Sequence, residues 1–186
     1  MPITNENIRG YIIAYLKLHS NSKGEKLALG RQRIISELPF DLRNKKIGDW
    51  DVSKVTNMMG LFKSMKYFNE DISKWNVSNV TDMSYMFTHA SSFNQPLEQW
   101  DVSKVTDMEG MFFGATAFNQ PIGNWNVSNV IFMGAMFHSA SAFNQPLGQW
   151  NVSKVQDMHS MFSFARAFNQ PIGNWDVSNV VYMKAM

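Results

Sequence analysis

Apolar residues return in a fixed order along most of the chain. They fall at Leu97, Trp100, Val102, Val105, Met108, Met111, Phe112, Ala115 and Phe118 with polar positions between them, and the order resumes at Ile122 and Trp125. The six tryptophans, Trp50, Trp75, Trp100, Trp125, Trp150 and Trp175, stand one 25-residue step apart. A step of this length marks an array of repeats, each burying its apolar side against the next. Two periods alternate within a unit. Trp100 and Val102 have the alternation of a short strand facing a core. Val105, Met108, Met111, Phe112, Ala115 and Phe118 follow i, i+3, i+4 spacing, which predicts a short helix or 3₁₀ turn capped by Ser103 or Thr106. The expected fold is an α/β repeat: a solenoid with a parallel strand ladder on one side and short helices or 3₁₀ turns on the other.

Residues 1–44 do not obey the step. Thr4 is placed to cap a helix from about Asn5, with Ile8, Ile12, Ile13 and Leu16 on one face. His19 to Glu25 reads as a turn, and Leu27, Leu29, Ile34, Ile35 and Leu38 predict a second helix ended by Pro39. This segment is expected to be an N-terminal helical cap on the array at 45–186, whose last repeat is incomplete, as in a piece of a longer array.

The repeat also predicts polar ladders. Stacked indoles would each remove roughly 200 Å² from water, about 5 kcal/mol as an upper bound, and each indole N–H needs an acceptor, expected to be a backbone carbonyl. Asn94, Asn119, Asn144 and Asn169, preceded by Asn69, form a column suited to bonding the adjacent coil. Pro96, Pro121, Pro146 and Pro171 mark turns or strand starts. Lys54, Lys104 and Lys154 alternate with Asn79, Asn129 and Asn179, a 50-residue superperiod that reads as duplication of a two-repeat unit.

Composition narrows the function classes. Apolar residues make up 45% of the 186, with 14 Met and 14 Phe, enough for a continuous interior. The net charge of +2 divides into nine basic against five acidic residues over 1–49 and eight against ten over the rest, which fits a solvated cap better than a nucleic-acid surface. Cysteine is absent, so thiolate metal sites and disulfides are excluded. No run is long enough to insert into a membrane or to serve as a signal peptide. The chain is therefore expected inside the cell if Met1 is the native start, and at the surface if export or anchor segments belong to it.

The string Phe-Asn-Gln-Pro-Leu/Ile-x-x-Trp-Asp/Asn-Val-Ser-Lys/Asn-Val-x-x-Met-x-x-Met-Phe, spanning about residues 47–186, resembles the BspA-like leucine-rich-repeat family, in the 25-residue form of mycoplasma-type surface lipoproteins. The resemblance implies a right-handed leucine-rich-repeat-like solenoid and, from bacterial members, surface display with adhesion roles. This chain departs from it in lacking an anchoring Cys and in residues 1–44.

No catalytic constellation stands out from the repeat. His19, His89, His138 and His159 do not fall in register, so they do not form a metal site. Asp51, Asp101 and Asp176 alternate with Asn76, Asn126 and Asn151, which lowers repulsion between coils and favours a structural role over calcium binding. The Ser column lacks a base at matching spacing. The expectation is a non-enzymatic scaffold, without cofactor, that recognises a protein or glycan. Phe113 and Phe164 break the polar character of one outer face, and Tyr85, Phe132 and Tyr182 add aromatic surface. Gln99 and Asp101 represent a uniform face suited to a repetitive or glycan ligand. The alternative is a spacer that stacks end to end through its final coil.

Overall fold

The computed structural model describes residues 2–19 and 38–186. Helix α1 spans Ile8–His19, a single-turn α2 spans Phe40–Arg43, and a 3₁₀ turn covers Ile47–Asp49. Beyond these, the described chain is a column of coils built from turns. The second cap helix expected over Leu27 to Ile35 lies outside the described residues, as does most of the turn expected after His19; Leu38 is buried. Thr4 accepts the Ile8 N–H at 3.1 Å through its carbonyl, and residues 5–7 form a turn before α1 begins.

The strand ladder and the repeat helices of the expected α/β solenoid are not present among the described residues. Among the described residues, β-pairing between successive coils is confined to isolated parallel bridges: Asn57↔Asp82, Asp82↔Asp107, Asp107↔Phe132, Phe132↔Asp157 and Asp157↔Tyr182. Local turns consume the amides that a strand would offer its neighbours. Trp100 N–H donates to Leu97 O at 3.1 Å and Val105 N–H to Val102 O at 2.9 Å, so the Trp-x-Val alternation belongs to a bent segment, not a pleat.

The predicted helix fails for a related reason. Met108, Gly110, Phe112 and Gly114 donate to Phe132, Gly134, Met136 and His138 of the next coil at 2.8–2.9 Å, while Met111, Phe113 and Ala115 close turns onto residues three back. Amides divided between neighbour and turn leave none for an i→i−4 ladder, and neither Ser103 nor Thr106 caps anything. Gly110 and Gly114 have φ of +56° and +65°, at the third residue of the turns closed by Met111 and Ala115, where a type II turn requires positive φ. Tyr85, His89, Ala135, Ser139, Ser160 and Phe164 take the same left-handed geometry in their own coils.

Two columns of phenyl rings occupy the interior. Phe62, Phe87, Phe112, Phe137 and Phe162 stack with centroids 5.4–5.7 Å apart. Phe68, Phe93, Phe118, Phe143 and Phe168 form the second column at 5.7–6.1 Å. Phe112 lies 3.9 Å from Phe118 across the columns, and Trp125 flanks Phe112 at 6.4 Å. All six tryptophans are buried. Each indole from Trp75 onward donates to a carbonyl 28 residues earlier: Ile47, Ile72, Leu97, Ile122 and Leu147, at 2.8–3.2 Å. Trp50 packs edge-on against Tyr15 at 5.4 Å, and its buried indole N–H has no partner among the described residues.

Polar ladders tie the coils on the outside. Asn69, Asn94, Asn119 and Asn144 each accept, at 2.9 Å, the backbone N–H of the asparagine one coil later. The 50-residue superperiod has a physical basis as well as a duplication history. Asn79 Nδ2 donates to Ser53 O at 3.0 Å and its Oδ1 accepts Lys104 Nζ at 2.8 Å; Asn129 repeats this with Ser103 and Lys154. A lysine in every coil would have no such acceptor, and an asparagine in every coil would have no such donor.

Candidate recognition face

The left-handed turns carry the residues that vary most between coils, and they bring several into one surface. His89, Phe113, His138 and Phe164 come from four successive coils. The His89 and Phe113 rings meet edge to face at 5.1 Å, Phe113 stacks on His138 at 4.5 Å and 4°, and His138 meets Phe164 at 5.4 Å and 65°. His138 Nδ1 also lies 3.0 Å from Ser139 Oγ. Phe164 is 68% exposed and Phe113 partly exposed, so the ribbon is a surface feature, ordered by its own ring contacts.

Glycines provide its floor. A Cβ on Gly110 would stand 2.7 Å from the Tyr85 ring, and one on Gly114 would stand 2.5 Å from His89 Nδ1. Tyr85 and His89 therefore lie down over the following coil instead of projecting from it. The Tyr85 hydroxyl donates to Glu109, and Lys63 Nζ lies 5.3 Å from the Tyr85 ring. Burial, then the Glu109 hydrogen bond, pushes the Tyr85 phenol well above its ordinary range. Burial likewise raises the Asp107 carboxyl, with the charges of Asp82 and Glu109 adding to it.

Of the residues singled out from sequence, Phe113 and Phe164 join this ribbon, while Phe132, 41% exposed, stands in the bridge column of the same coil segment. Gln99 and Asp101 flank Trp100 and are exposed. Asp101 engages its own turn: Oδ1 accepts the Ser103 N–H at 3.0 Å, and the Ser103 hydroxyl and N–H hold the carboxyl below its usual range. No hydrogen bond or ion pair joins Gln99 or Asp101 to the aromatic ribbon. His89 and His138 are the members that sequence reasoning missed. Their offsets to the phenylalanines are 24, 25 and 26 residues, so the first and last contacts leave register by one position in opposite directions, and a search along one column of the repeat finds at most two of the four. Among the described residues no three metal-ligating side chains converge, and no helix is long and apolar enough to cross a membrane.

The geometry defines a class: a stacked-coil repeat protein with a phenyl interior, polar ladders, and one face individualised by aromatic substitutions. The model of the family described as Mycoplasma protein of unknown function, DUF285, matches residues 35–133 and again 96–186, and the chain belongs to that family. The match supports the Mycoplasma-type character of the resemblance; the leucine-rich-repeat and adhesion terms have no support in it. No curated protein and no solved structure matches the chain.

Proposed function

We propose that this chain is a non-enzymatic recognition module whose partner, a protein, docks on the ribbon of His89, Phe113, His138 and Phe164. The observation that carries the reading is the continuity of this ribbon. Four departures from the repeat make contacts with one another in consecutive coils, at 4.5–5.4 Å. Relaxed selection on an exposed face would scatter such departures. Rigid aromatic anchors lose little entropy on binding, which suits them to recognition.

The test compares two variants in affinity capture from cells that make the protein. Combined Phe113→Ala, His138→Ala and Phe164→Ala is expected to lose a partner that combined Gln99→Ala and Asp101→Ala retains, with folding of both checked by circular dichroism. Retention by the first and loss by the second would move the function to the Gln99 side, and absence of any specific partner for the parent chain would remove the reading.

A further inference from the structure

Charge is sorted between neighbouring parts of each coil. The stretches 63–67, 88–92, 113–117, 138–142 and 163–167 occupy the same place in successive coils and hold no Asp or Glu, although the chain has 15. Their charged residues are Lys63, Lys66 and Arg166. The nearest acids along each coil stand in or beside the bridge column, as Asp82, Asp107, Glu109 and Asp157. Three of them serve their own turns: Oδ1 of Asp82, Asp107 and Asp157 accepts the N–H two residues on, at 2.9 Å.

The acid-free strip has a cationic end at the first coil, where Lys63 and Lys66 are exposed. Arg9 of α1 donates to Gly60 O, the carbonyl that also accepts the Lys63 N–H at 3.1 Å, which sets a third cation beside them. The ion pairs among the described residues are Lys74 with Asp49 and His159 with Asp157, so none of the three cations enters one. Glu70 shares a cavity with Lys66 without pairing to it. From this end the strip runs along the ridge of His89, Phe113 and His138. Beside the ridge Ser91, Ser92, Thr116, Ala117, Ser141 and Ala142 are small. Ser91, Thr116 and Ser141 also turn their hydroxyls onto carbonyls of the coil before, at 3.3–3.5 Å. A low shelf therefore lies next to the ring ridge, with Tyr67, 91% exposed, at its cationic end.

We propose that the shelf takes an extended acidic segment of the partner protein, its carboxylates over Lys63 and Lys66 and its apolar side chains against Phe113 and His138. The proposal rests on the recognition reading and names the chemistry of its partner. Cations without counter-ions on an acid-free surface attract a negative segment and repel a basic one. Coils step by about 4.8 Å, so the first and fourth lie roughly 14 Å apart, a length that about four extended residues cover. A single-stranded nucleic acid would also bring negative charge and flat groups, but the ridge disfavours it. Phe113 stacks on His138 at 4.5 Å and 4°, so these rings satisfy each other and leave a base no gap between them.

Isothermal titration calorimetry of the full chain tests it with the acetylated, amidated peptide Glu-Ser-Glu-Ser-Phe-Ser-Leu, whose alternation puts both carboxylates and both apolar side chains on one face when extended. Saturable binding that weakens with salt is expected, and none of the same peptide with Lys in place of Glu. Lys63→Ala with Lys66→Ala should weaken it by about tenfold, as should Phe113→Ala, while Lys104→Ala with Lys154→Ala should bind as the parent does. Lys63→Glu with Lys66→Glu should reverse the preference and take the lysine peptide, an outcome that misfolding does not produce. Equal binding of both peptides, saturation by neither, undiminished binding by Lys63→Ala with Lys66→Ala, or saturation by an oligothymidylate in place of the acidic peptide would overturn the assignment. If the acidic peptide does not bind while the ribbon variants still lose their partner, this assignment falls and the recognition reading stands.

Discussion

The two ends of the column are built from the same repeat and buried to different degrees. At the first coil Val52, Val55, Met58 and Phe62 are at most 1% exposed, although no repeat is described before them, because Ile8, Ile12 and Tyr15 of α1 lie in the core with them. At the last coil the equivalent Val177 and Met183 are 37% and 41% exposed. A single repeat therefore does not bury its own apolar side; its neighbour does. The N-terminal segment replaces that neighbour chemically as well as sterically, through the turn that leads into α1. In mid-column, Thr106 O accepts the N–H groups of both Ile131 and Phe132, at 2.9 and 3.4 Å. At the first coil Asn5 Oδ1 accepts those of Thr56 and Asn57, at 2.9 and 3.1 Å. One side-chain amide oxygen thus does what a carbonyl of a preceding coil does elsewhere.

The largest test of this contrast compares phenylalanines at different depths along the column. Along its column Phe112 has stacked neighbours on both sides, Phe87 at 5.5 Å and Phe137 at 5.7 Å; along its own column Phe168 has one, Phe143 at 6.0 Å, and is half-buried. Phe112→Ala should cost about 3–5 kcal/mol in urea denaturation, and Phe168→Ala roughly half as much. Equal losses would show that neighbouring coils do not set the burial energy.

A smaller effect is expected at the cap. Asn5→Ala leaves two exposed amides to water in place of their acceptor and should cost about 0.5–1.5 kcal/mol. Hydrogen exchange at Thr56 and Asn57 should quicken, while Ile131 and Phe132 keep their protection. Asn5→Asp retains the acceptor and should recover most of the loss. Unchanged exchange in Asn5→Ala would sink the substitution of Asn5 for a preceding coil.

The step and the interior were legible because burying an indole or a phenyl in every coil forces those residues to recur. The backbone was not legible, because an i, i+3, i+4 stripe is common to a helix and to a chain of turns that close three residues back. What separates them is the left-handed residue. Gly60 and Gly110 share a column with Tyr85, Ala135 and Ser160, and Gly114 shares one with His89, Ser139 and Phe164. Glycine recurring at two positions four residues apart was the available signal, masked by the bulkier residues that take the same positive φ. Asn5 was read only as the start of a helix, since a side chain that imitates a carbonyl leaves no periodic trace. In the candidate face, Phe113 and Phe164 stood out by polarity, and the imidazoles that join them did not.

The finest form of the comparison is electrostatic. Asp107, in mid-column, is covered enough that burial and the charges of Asp82 and Glu109 raise its carboxyl above the usual range. Asp176, in the exposed last coil, is instead held below that range by the Ser178 hydroxyl and N–H. A raised folded-state value favours the protonated carboxyl, so the contribution of Asp107 is fully present below its unfolded value and is lost as pH rises through the folded one. At neutral pH its charge is a liability. Asp107→Asn keeps an oxygen for the Glu109 N–H, which Asp107 Oδ1 accepts at 2.9 Å, and should therefore stabilise the chain at pH 7 by up to about 1 kcal/mol, with solvent screening limiting the gain. The gain should vanish in acid, where the parent carboxyl is itself protonated. Asp176→Asn should show the opposite sign, because a lowered value contributes stability above the unfolded value that is lost as pH falls through the folded one. Urea midpoints for both variants from acid to neutral pH decide the matter. A gain for Asp107→Asn that persisted undiminished in acid would assign it to packing, and the contrast between covered and open coils would then carry no electrostatic component.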